Sequence, residues 1–140
     1  MDYGRCATES THKKITAEEN GRKLTLENPN GKTIRKIQVD GCLFTDTSRK
    51  RCDYMFEIEK PIRFVIYLEL KGSDIKKAYD QLLATIDQFN KAHQGIKKEA
   101  HIVASRVPKA SPEIQQLKIK MLKAHKATLT VNTREAFTTV

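Results

Sequence analysis

Along most of the chain apolar and polar residues alternate or recur every three to four positions, but one stretch does neither. Within residues 63–71 the run Phe64-Val65-Ile66-Tyr67-Leu68 is apolar at every position, which suits a central strand buried on both faces. Residues 52–58 predict a strand before it, and Glu59-Lys60-Pro61 supplies the turn between the two. After it, Gly72-Ser73 ends the strand and caps a helix. In that helix Ile75, Ala78, Tyr79, Leu82, Leu83, Ile86 and Phe89 recur at amphipathic spacing. Residues 90–98 read as a polar loop, and residues 100–105 as a further strand. A strand reached through a crossover helix is expected to run parallel to the first.

Toward the C-terminus, Ser111-Pro112-Glu113 combines an N-cap, a proline at the first helical position and an early acid. Ile114, Leu117, Met121 and Leu122 continue the helix, and residues 127–131 predict a short β segment followed by an unpatterned tail. The N-terminal side is less regular. Thr16-Ala17-Glu18-Glu19 predicts a short helix stopped by Asn20-Gly21. Leu24 and Leu26, the turn Asn28-Pro29-Asn30-Gly31, and Ile34, Ile37 and Val39 predict a hairpin. The order of elements implies an α/β fold, a mixed central sheet flanked by helices. With 140 residues this reads as one domain: a poorly specified segment 1–22, a core 23–105, and a basic helix with a β segment over 106–140.

Composition narrows the setting. The longest fully apolar run, residues 64–68, is far below the ~20 residues that span a bilayer. No apolar segment follows Met1 as a secretory signal would require, so a cytoplasmic protein is expected. Three cysteines, Cys6, Cys42 and Cys52, contain no C-x-x-C pair and predict reduced thiols; four histidines without an H-x-x-x-H pair make zinc a poor expectation. A net charge of +9 points to a polyanionic partner, nucleic acid first. Only 6% of residues are aromatic and Trp is absent, so backbone recognition is expected rather than base stacking.

The charges that interrupt the apolar pattern carry the chemistry. A period of two puts Val65, Tyr67, Glu69 and Lys71 on one face of their strand, at the carboxyl end where α/β sheets place ligands. An antiparallel return through Lys60-Pro61 brings Asp53 alongside Glu69. Two carboxylates so placed can share Mg²⁺ or Mn²⁺, with the backbone carbonyl of Leu70 as a third oxygen. Such an ion neutralises a phosphodiester and acidifies water, and Lys71 is placed to serve the attacking water. Arg49-Lys50-Arg51 directly before Cys52-Asp53 is a candidate contact for a phosphate backbone. Residues 91–126 hold nine Lys or Arg against Glu99 and Glu113, and Lys120 and Lys123 lie opposite the apolar stripe of their helix.

Asp53 followed sixteen residues later by Glu69-Leu70-Lys71 at a strand end, with a helix directly after, resembles the PD-(D/E)xK nuclease superfamily over roughly residues 23–105. The resemblance implies a restriction-endonuclease-like core, Mg²⁺ or Mn²⁺ on the acids, and the lysine acting on the attacking water. It also implies an assisting group on the following helix, for which Gln81 is the match. Cys52 stands where the motif has proline. Many members supply a further Glu from a first helix, for which Glu9, Glu18 and Glu19 are the candidates.

The expected function is a metal-dependent nuclease, with DNA favoured over RNA and a homodimer or a larger complex compatible with it. The alternative is a catalytically inactive nucleic-acid-binding or scaffolding domain of the same fold. A third reading is a protein-interaction module whose basic face meets an acidic partner.

Overall fold

The structure, a computed structural model, describes residues 2–48, 50–70, 72–107 and 111–140. It is mixed α/β, with a six-stranded sheet in the order β1-β4-β5-β6-β7-β8 and a three-stranded sheet in the order β2-β3-β9. The strands are β1 (Ala7–Ser10), β2 (Lys14–Glu19), β3 (Arg22–Glu27), β4 (Ile34–Gln38), β5 (Tyr54–Ile58), β6 (Phe64–Leu70), β7 (Lys97–Ala104), β8 (Ala127–Thr133) and β9 (Glu135–Thr139). Helices α1 (Ile75–Gln88) and α2 (Pro112–His125) follow β6 and β7.

All seven residues of β6 are buried. The strand pairs antiparallel with β5 and parallel with β7, and the large sheet changes from antiparallel to parallel at β6. Its alternate side chains enter two cores. Val65 and Tyr67 join Ile37, Met55, Ala100 and Ile102 beneath α1 and α2. Ile66, Leu68 and Leu70 join Phe56 and Val103 against Leu24, Leu26 and Ala136 of the small sheet. Burial of such side chains stabilises by about 1.5–3 kcal/mol each, which makes β6 the part of the chain least tolerant of a register slip.

The two helices therefore cover one face of the large sheet rather than flanking it on both. The small sheet covers the other, because β2, β3 and β9 present Ala17, Leu24, Leu26 and Ala136 to it. Helix α1 begins at Asp74, whose carboxylate accepts from the Lys77 amide; the cap is one residue beyond the expected Ser73. Helix α2 is capped by Ser111 with Pro112 in its first turn, as its sequence implies.

Three further expectations are corrected. Residues 16–19 are strand, not helix: Ala17 faces Leu24 across β2 and β3, and core contact outweighs the helix propensity of Ala and Glu. The turn at residues 28–31 exists, with Asn28 bonded to both the amide and the carbonyl of Lys32, but it does not close a hairpin. Strand β3 stays with β2 and β9, while β4 crosses to β1 and β5. Finally, Cys6 and Cys42 form a disulfide, and only Cys52 among the three is a free thiol, buried. The disulfide removes the basis for expecting reduced thiols throughout. No helix among the described residues is long and apolar enough to cross a membrane.

Candidate active site

The β5–β6 register pairs Tyr54 with Leu68, so the next residues outward are Asp53 and Glu69. They are tied together. The Asp53 amide donates to the Leu68 carbonyl and to Glu69 Oε1, both at 3.1 Å, and the Leu70 amide donates to Asp53 Oδ2 at 2.8 Å. Asp53 is 5% exposed and Glu69 0%. Burying a carboxylate is unfavourable unless its charge is met by strong donors, and backbone amides at strand ends meet part of that need. The local field is negative. Burial pushes the Cys52 thiol far up its scale, and the charges of Glu69 and Asp53 add to it against the opposing Thr85 hydrogen bond. Tyr54 is raised by burial and by Glu19 and Asp53.

Helix α1 reaches this end of the sheet through Thr85. Its hydroxyl accepts from the Cys52 amide at 2.7 Å and donates to the Gln81 carbonyl at 3.0 Å. Gln81, four residues earlier on the same helix face, lies one turn closer to the end of β6 and is buried. With Lys77 it lines two adjoining open clefts. One, of about 450 Å³, is walled by Asp40, Asp46, Ser48 and Lys50; the other, of about 220 Å³, by Gly72, Ser73 and Asp74. Asp53, Glu69 and the Leu70 backbone thus meet at one end of the large sheet, Gln81 is linked to that end through Thr85 and the Cys52 amide, and neither carboxylate lines the two clefts.

The basic loop divides. Lys50 stands in solvent, its side chain 65% exposed and its ammonium 4.0 Å from Asp80. Arg51 turns inward with a side chain only 2% exposed, bonds Asp46 at 2.9 Å and lies over the Phe44 ring at 5.1 Å. Arg51 and Ser48 hold the Asp46 carboxyl well below the usual range. Arg51 therefore organises the wall of the larger cleft, which it lines with Asp46 and Ser48. Lys71 and Arg49 lie outside the described residues. Lys120 and Lys123 are exposed on α2, which packs on β8, two strands from β6, so they stand apart from the carboxylates.

Of the candidate N-terminal acids, Glu19 acts on Tyr54 together with Asp53. Glu9 on β1 pairs with Lys60, and Glu18 and Glu19 on β2 face Lys23 and Arg22. No group of three or more His, Cys, Asp or Glu suited to a metal occurs among the described residues. Mg²⁺ is a hard ion that commonly takes one or two protein carboxylates, and Asp53 and Glu69 are the residues here that could hold one.

A second polar cluster, unforeseen from the pattern, lies under the far end of α1. Glu57 accepts from the Tyr3 hydroxyl at 2.6 Å and Arg35 at 2.5 Å and bonds His93 Nε2 at 2.5 Å; His93 Nδ1 in turn meets the Tyr67 hydroxyl at 2.7 Å. Burial opposes ionisation of Glu57, but its bonds to His93 and Tyr3 and the charge of Arg35 hold its carboxyl below the ordinary value. The available signal was a lone acid inside the apolar run Met55-Phe56-Glu57-Ile58. The cluster ties the N-terminal segment to β4, β5, β6 and the segment after α1.

Comparison with protein-family models, curated proteins and solved structures gave no match.

Proposed function

We propose that this chain is a metal-dependent nuclease that hydrolyses phosphodiester bonds, with Asp53, Glu69, Lys71 and Gln81 as its working residues and a restriction-endonuclease-like core. The observation that carries this reading is the interlocked Asp53–Glu69 pair, buried at the carboxyl end of the central strand. Mg²⁺ or Mn²⁺ held by the two carboxylates, with the Leu70 carbonyl, would neutralise phosphoryl charge and acidify water.

Each residue then has a defined task. Asp53 and Glu69 provide hard oxygen donors whose positions are fixed by hydrogen bonds from backbone N–H groups, so little reorganisation accompanies binding. Lys71 orients the attacking water and offsets charge that develops at phosphorus. The Gln81 amide hydrogen-bonds water or a phosphate oxygen, and Lys50 holds the backbone beside the scissile bond. Recognition through phosphates is consistent with a +9 chain of 6% aromatic content, and DNA is the preferred substrate.

One observation favours the alternative of an inactive binding or scaffolding domain: Glu69 is 0% exposed. Incubation of wild type, Glu69→Gln and Lys71→Ala with labelled duplex and single-stranded DNA and with RNA, with Mg²⁺ or Mn²⁺ and with chelator, separates the two. The nuclease reading requires cleavage by wild type only, and only with metal. Salt-sensitive binding without cleavage supports the alternative.

A further inference from the structure

Three large apolar side chains among the described residues are more than half exposed, and two of them, Ile119 (53%) and Leu122 (57%), are neighbours on α2. The buried side of this helix is complete without them, since Ile114, Leu117 and Met121 face the core. On the outer side, Gln115, Ile119 and Leu122 follow one another at spacings of four and three residues, the spacing of a seam along which one helix packs against another, and the helix ends at the left-handed Lys126. Lys118 and Lys123 border this seam at the two flanking positions, with His125 beyond, and Lys120 stands one position further out.

We infer that the outer face of α2 is a docking surface for an amphipathic helix of a partner protein, one that sets apolar side chains against Ile119 and Leu122 and carboxylates against Lys118 and Lys123. Charge selects this occupant. A second copy of the chain would bring the same lysines face to face, and like charges at flanking positions oppose pairing. A nucleic-acid backbone would satisfy the lysines but leave Ile119 and Leu122 without an apolar partner. A bilayer would receive only two side chains from a helix whose apolar stripe is already committed to the core. From Gln115 to Leu122 the seam is only about 10 Å long, so the contact is small, weak and salt-dependent.

The probe is a synthetic helical peptide of repeated heptads with Leu at the seam and Glu at the flanks, titrated against the full chain by calorimetry. The same peptide with Lys at the flanks, vesicles of anionic phospholipid and duplex DNA serve as comparisons. The Glu peptide should bind, and its affinity should fall by about tenfold or more in Ile119→Gln/Leu122→Gln and in Lys118→Glu/Lys123→Glu. High salt should weaken it, the Lys peptide should fail, and circular dichroism should show both variants folded. Absence of Glu-peptide binding up to millimolar concentration overturns the inference. So does binding indifferent to both double variants, or an Ile119/Leu122-dependent affinity found only for vesicles or DNA.

Discussion

Glu69 accepts a hydrogen bond from the backbone of Asp53, and the carboxylate of Asp53 accepts one from the residue after Glu69, so each acid fixes the place of the other. The relationship separates structural from chemical roles. Asp53→Ala leaves the buried Leu70 amide without its acceptor and should lower unfolding free energy by about 1–3 kcal/mol. Asp53→Asn keeps a carbonyl acceptor and should recover most of that loss. Urea melts of the three proteins check the order; equal stability of Ala and wild type would contradict the role given to this bond.

Acid stability should depend on Glu57. Its folded-state carboxyl titrates below the ordinary 4.5 because of His93, Tyr3 and Arg35, although burial pulls the other way. A depressed carboxyl contributes stability above its unfolded value and loses it as pH falls through the folded one. Wild type should therefore lose stability as pH drops below about 4.5, and Glu57→Gln should be less stable at neutral pH with a flatter acid limb. Chemical denaturation at a series of pH values between neutrality and acid reads both effects.

Closing 36 residues, the Cys6–Cys42 bridge should stabilise by up to about 4 kcal/mol if loop entropy dominates. It also anchors the segment that carries Tyr3 to Glu57. Under reducing conditions the urea midpoint should drop, and an alkylating agent should label Cys6 and Cys42 in the folded protein. Cys52, fully buried with its thiol pushed far up, should be labelled only on unfolding. Peptide mass mapping after reduction distinguishes the three.

What was legible in the sequence is the part of the fold governed by local pattern. The unbroken apolar run fixed β6 as central, and helical spacing located α1. The caps at Ser111 and Pro112 located α2, and the turn at Pro61 brought Asp53 opposite Glu69. What escaped depends on long-range choice. Ala17 and Glu18 favour helix until Leu24 offers a core partner. Leu26 and Ile34 flank a good turn yet belong to different sheets, and β9 gains its meaning only by pairing with β3. Cysteine spacing could not show that the chain returns Cys42 to Cys6. In the site, strand phase placed Glu69, but whether a basic residue faces solvent or its own loop was not readable. Arg51 turned inward to Asp46 while Lys50 stayed out.

If Asp53 and Glu69 hold a divalent metal, as the proposed nuclease activity requires, metal-dependent cleavage follows from it. Purified wild type should convert labelled DNA to shorter products with Mg²⁺ or Mn²⁺ and not with chelator. Glu69→Gln, which keeps an acceptor for the Asp53 amide, should stay folded and lose at least about a hundredfold in rate, in keeping with removal of a group that acts on the transition state. Cleavage by Glu69→Gln at the wild-type rate, or no cleavage by folded wild type of any DNA or RNA with either metal, would contradict it.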